Sequence, residues 1–116
     1  MTKSYKNITE DLNTYLSKLR KEIPDAMQGF SALAQTSLKD GALNKKTKEL
    51  IALAVGISSR CDGCIGFHVK TLVGLGMIRE ELLEVLAMSV YMGGGPSLMY
   101  AADALRAFEE FTEVTN

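Results

Sequence analysis

Apolar residues recur at three- and four-residue intervals along nearly the whole chain, the spacing of one face of an α-helix. No stretch alternates in the two-residue rhythm of a strand bounded by hairpin turns. The pattern predicts an all-α fold of about six helices. A first helix opens near Asn7, with Asn7 and Glu10 in capping-box relation, and buries Ile8, Leu12, Leu16, Leu19 and Ile23. Pro24 suits the first turn of a second helix, with Met27, Phe30, Leu33, Ala34 and Leu38 inside and a stop at Asp40-Gly41. A third runs from Asn44 to about Ser58, and its middle, Leu50 to Ile57, is apolar on every side, as in a helix buried all round. The fourth covers about Arg60 to Leu75 and stops at Gly76. The fifth spans Arg79 to Met92, and Gly93-Gly94-Gly95-Pro96 separates it from a sixth that ends near Phe111.

A chain of 116 residues has room for one core, so residues 1–116 are expected to form a single domain. The last two helices are apolar over broad faces, from Leu82 to Met92 and from Leu98 to Phe111. One small domain covers only part of such a surface, which predicts a homo-oligomer that buries the remainder between subunits. The plainer alternative is a monomer whose core takes it all in.

Composition adds exclusions. Apolar residues make up 47 % and charged residues 23 %, with a formal net charge of −1, so nothing suggests nucleic acid as a partner. The opening residues, Met1 to Asn7, are polar and charged, unlike a secretory signal peptide. Leu50 to Ile57 is far shorter than the roughly 20 residues that span a bilayer. A cytoplasmic protein without a membrane partner is expected, and in that reducing setting two cysteines point to catalysis or metal binding rather than to a structural cross-link.

The sharpest chemistry lies in Glu49 and in the run Ser59-Arg60-Cys61-Asp62-Gly63-Cys64-Ile65-Gly66-Phe67-His68. Ser59 and Asp62 fit the pattern that opens a helix, which places Cys61 in a first turn whose positive end favours a thiolate. Cys64 follows at i+3, His68 four residues later, and the same stripe continues to Leu72 and Leu75. Both thiols and the imidazole are therefore expected to face inward. Two cysteines one turn apart can form a disulfide without unfolding the domain, and His68 is spaced to exchange a proton with Cys64. Each piece has a structural explanation as well. Cysteines are commonly buried as small hydrophobes, a single histidine is commonly a core residue, and Glu49 stands four residues from Lys45. The conjunction is what counts, because the chain's single His is in register with its two Cys.

Spacing separates the competing motifs. A c-type haem site needs His directly after the second Cys, where Ile65 stands, and a thioredoxin site needs an adjoining βαβ unit, for which no strands are predicted. A zinc site of Cys61, Cys64 and His68 lacks a second Cys/His pair, although Glu49 would supply a fourth ligand.

Glu49, Cys61-Asp62-Gly63-Cys64 and His68 together resemble the signature of the AhpD-like alkylhydroperoxidases of the carboxymuconolactone decarboxylase superfamily. Asn44 to Val55 looks like the family's lead-in helix, and Met92 to Pro96 like the stretch before its last long helix. The likeness covers about residues 24–112. It implies an all-α AhpD-like fold that assembles into homotrimers or homohexamers. It implies that Cys64 attacks a small hydroperoxide, Cys61 resolves the sulfenic acid as a disulfide, and Glu49 and His68 relay protons. No cofactor is implied, only a thiol reductant protein or small dithiol. Some relatives carry His between the cysteines, and Asp62-Gly63 there predicts less acidic thiols and weaker peroxidase activity. Two alternatives stay open. One is a decarboxylase-like reaction on a small cyclic acid through His68 and Glu49, although the true decarboxylase branch lacks the Cys pair. The other is a non-catalytic redox-sensing oligomer.

Overall fold

Local signals place the helix ends in the computed structural model, which describes residues 2–112. Met1 and residues 113–116, the ends of the expected 1–116 domain, lie outside the described residues. The elements are α1 (Tyr5–Glu22), α2 (Pro24–Leu38), α3 (Lys45–Ser58), α4 (Asp62–Gly74), α5 (Arg79–Gly93) and α6 (Gly95–Thr112). There is no strand among the described residues. Asn44 caps α3 by accepting the Thr47 N–H at 2.8 Å, and Pro24 opens α2. Gly76, at φ 86°, takes the left-handed conformation that ends α4. The N-cap of α1 is Ser4, whose Oγ accepts from the Asn7 N–H at 3.2 Å, so α1 begins before the expected Asn7–Glu10 box.

Helix α4 is the centre of the fold and packs against α1, α3 and α6, while α5 closes the far side against α3 and α6. Leu53 and Ile57 of α3, Ile65, Val69 and Leu72 of α4, and Leu82 of α5 are fully buried. Ala101, Ala104 and Ala107 form the small face of α6 that allows close helix approach. No helix among the described residues is long and apolar enough to cross a membrane.

Three expectations change within the single chain. On α1 the buried residues are Tyr5 and Thr9, whereas Ile8, Leu12 and Leu16 are half-buried and Leu19 and Ile23 exposed. The reason is steric: α4 presents Gly63 and Gly66 to α1, and the close approach brings Tyr5 and Thr9 under cover. Helix α2 buries nothing fully, and Phe30 and Leu33 are 69 % and 63 % exposed. Helix α3 is not covered all round, since Ile51 and Val55 face outward at 50 % and 58 % exposure.

Candidate active site

The turn that holds the cysteines is built from two helix ends with no loop between them. The N–H of Cys61 donates to the Gly56 carbonyl at 3.0 Å and that of Arg60 to the Ile57 carbonyl at 3.1 Å, the paired bonds of a Schellman motif. Arg60 occupies its left-handed position, at φ 56°, where glycine is usual. Cys61 thus closes α3 and is also the N-cap of α4. Its Sγ accepts from the Cys64 N–H at 3.2 Å. Ser59 does not cap α4 as expected, because it is the C-cap of α3, and Cys61 stands just outside the first turn rather than in it.

Cys61 and Cys64 are joined as a disulfide, with Cα atoms 5.2 Å apart. Both are half-buried, as is His68, so they sit at a partly open edge rather than in the core; further along the stripe Leu72 is buried but Leu75 is exposed. Gly56 backs the disulfide from α3, where a Cβ would stand 3.0 Å from Cys64 Cβ.

One helical turn beyond Cys64, His68 Nδ1 lies 2.6 Å from Glu49 Oε1. Glu49 is 3 % exposed and is therefore no surface partner of Lys45. A carboxylate at Glu49 accepts the Nδ1–H and leaves Nε2 outside that bond. The four residues singled out by sequence thus form two pairs, a disulfide and a carboxylate–imidazole, on adjoining turns of α3 and α4.

A third cluster at this site was not foreseen. The Asp62 carboxylate accepts the Tyr5 hydroxyl at 2.7 Å and the Lys3 ammonium at 3.0 Å, and Lys3 also reaches Asp103 on α6 at 2.8 Å. Burial pushes the Asp62 carboxyl up, but the Tyr5 hydroxyl and the Lys3 ammonium outweigh it and hold it below its ordinary 3.8. Burial, then the bond to Asp62, pushes the Tyr5 hydroxyl far above its ordinary 10.0. The hydrogen bond to Asp103 raises Lys3, against burial and with help from Asp62. Contacts across 57 and 59 residues leave no trace in local spacing.

The ligands of the zinc alternative do not converge. No group of three or more His, Cys, Asp or Glu among the described residues is arranged to hold an ion.

The sequence model of the carboxymuconolactone decarboxylase family matches residues 24–107, which include all four candidate residues. The chain belongs to the carboxymuconolactone decarboxylase family. Its fold is also that of the family. A family protein from Legionella pneumophila, solved in its apo form, is 64 % identical and superposes with a TM-score of 0.92 over 94 % of this chain and 97 % of that one. A family protein from Thermotoga maritima, described as a candidate for a part in an antioxidative response, is 29 % identical, with a TM-score of 0.69 over 81 % of this chain and 86 % of its own. An uncharacterized protein of Cupriavidus necator is 38 % identical over 109 residues, 88 % of this chain and 96 % of that protein. The carboxymuconolactone decarboxylase family match takes in α2 to α5 and most of α6, with the candidate residues on α3 and on α4 with its N-cap, and α1 lies outside it.

Proposed function

We propose that this family member is a thiol-dependent oxidoreductase that reduces small hydroperoxides through Cys61 and Cys64. The observation that carries the reading is the Cys61–Cys64 disulfide at the start of α4, with the His68–Glu49 pair one turn away. His68 takes the proton of Cys64, and the thiolate attacks the terminal peroxide oxygen. The O–O bond breaks, the alkoxide leaves as an alcohol with the proton returned by His68, and Cys64 becomes a sulfenic acid. The Cys61 thiolate attacks that sulfur and expels water, which leaves the disulfide. An external dithiol, either a reductant protein or a small molecule, returns both sulfurs to thiols by exchange. Glu49 orients His68 and offsets the charge of the imidazolium.

The Thermotoga protein's antioxidative description supports the same direction. Decarboxylation of a small cyclic acid through Glu49 and His68 has no use for the disulfide and is the less economical reading. We place the protein in the cytoplasm, where reductants keep the cycle running, and as an oligomer, because Phe30, Leu33, Ile51 and Val55 are left uncovered by the single chain; the resemblance to the alkylhydroperoxidases makes it a homotrimer or homohexamer. Cys64→Ser is the direct test. It abolishes hydroperoxide turnover if Cys64 is the attacking thiol, and undiminished turnover removes that assignment.

A further inference from the structure

Asp62 sits directly after the N-cap cysteine, and that position creates a competition. Aspartate is among the best N-capping residues and cysteine is not. If α4 began one residue later, the Asp62 carboxylate would take the free N–H groups of the first turn, and the Cys61 sulfur would lose the Cys64 N–H that it now accepts at 3.2 Å. In the structure the carboxylate is engaged elsewhere. Tyr5 and Lys3 both bond its Oδ1, and Lys3 ties it onward to Asp103 of α6.

The start of α1 is itself secured. Glu110 of α6 accepts from Ser4 Oγ at 3.2 Å and from the Lys6 N–H at 2.9 Å. Glycines on α4 let α1 come this close, since a Cβ at Gly66 would stand 2.8 Å from Thr9 Cγ2 and one at Gly63 would stand 2.7 Å from Leu12 Cδ1. Tyr5 is fully buried and Thr9 nearly so.

We propose that Lys3 and Tyr5 are positioning residues for Cys61, which hold the Asp62 carboxylate against α1 and α6 and so reserve the N-terminus of α4 for the Cys61 sulfur. A thiolate there gains both a backbone N–H and the positive end of the helix. The benefit falls on two steps of the proposed cycle: attack of Cys61 on the sulfenic acid, and its departure as thiolate when the disulfide is reduced. Both residues lie outside residues 24–107, so the tuning is supplied by a segment that the family match does not include. The proposal rests on Cys61 working as a thiolate, but not on the identity of the oxidant. Other charged groups surround the turn: Arg60 before Cys61, Asp103 with Arg106 on α6, and the Glu49–His68 pair on α3 and α4.

The test uses the Cys64→Ser background, in which Cys61 is the single thiol, and follows the pH dependence of its alkylation by iodoacetamide. Lys3→Met and Tyr5→Phe should each raise the midpoint by about half to one pH unit, a roughly three- to tenfold slower reaction below the midpoint. Adding Asp62→Ala removes the competing carboxylate and should abolish both shifts. An unchanged midpoint in the exposed-site variant Lys3→Met, with native far-UV circular dichroism, overturns the proposal. So does a shift that persists with Asp62→Ala, because Lys3 would then act by its own charge. Peroxide plays no part in this assay, so a protein inert to peroxide that still shows the coupled shifts refutes the peroxidase reading and leaves this inference standing.

Discussion

Glu49 Oε1 and His68 Nδ1 are 2.6 Å apart, and the carboxylate of this pair is buried between α3 and α4 while the imidazole reaches the surface edge. A buried carboxylate that spends its bond on one ring nitrogen fixes the ring and leaves the other nitrogen for chemistry. Glu49→Gln preserves shape and should fold normally, yet lower hydroperoxide turnover by about 10- to 100-fold, and His68→Asn by at least as much. The two act as a unit, so the double variant should be no slower than His68→Asn alone. Steady-state turnover of the three variants with a small dithiol as reductant checks this.

Two glycines make a contrasting pair. A Cβ at Gly56 would stand 3.0 Å from Cys64 Cβ, whereas one at Gly74 meets nothing within 4 Å. Gly74→Ala should therefore stabilise the fold by about 0.5–1 kcal/mol through helix propensity. Gly56→Ala has the same propensity gain but crowds the base of a half-buried side chain, and overpacking of about 1–3 kcal/mol should outweigh it. Urea unfolding of both oxidised variants measures the opposite signs, and Gly56→Ala should also slow disulfide closure.

The Asp62 cluster has a pH signature. Its carboxyl is held below the ordinary 3.8, so the ionised form is favoured in the folded chain. The stability it contributes is complete above the unfolded value and is lost as pH falls through the lower folded one. The stability difference between the wild type and Asp62→Asn should be constant above about pH 5 and shrink below about pH 3.8. Thermal melts from pH 7 to pH 2.5 read it, and a difference independent of pH would mean that the carboxylate is not favoured by its neighbours.

Periodicity was sufficient to place six helices, because apolar spacing and caps such as Asn44 and Pro24 are local. The site was legible to the extent that it lies along one helix: Cys61, Cys64 and His68 are spaced by α4 alone. Glu49 stands apart from that stripe, and its meeting with His68 joins two helices, so spacing along α4 does not pair them. The Tyr5–Asp62–Lys3 cluster was invisible for the same reason, as it depends on α1 crossing α4 at Gly63 and Gly66. Residue type alone favours Ser59 over Cys61 as the N-cap of α4, which shifts the expected register of that helix. The Schellman bonds of Arg60 and Cys61 take Ser59 into the end of α3 instead.

The uncovered faces of α2 and α3 carry a prediction about assembly. Phe30 and Leu33 are mostly exposed on a helix with no fully buried residue, and Ile51 and Val55 face outward from α3. Light scattering should give the mass of a trimer or hexamer, and Phe30→Glu with Leu33→Glu should reduce it. A monomeric wild type would show that these faces stay open to solvent.

If Cys61 and Cys64 are a redox pair that peroxide oxidises, the thiols themselves report it. The most direct measurement counts free thiols in the reduced protein before and after one equivalent of an organic hydroperoxide, with peroxide consumption followed alongside and the product mapped by mass spectrometry. The expected result is the loss of two thiols per chain, consumption of one peroxide, and a Cys61–Cys64 disulfide. Two thiols still free in the presence of unconsumed peroxide would contradict it.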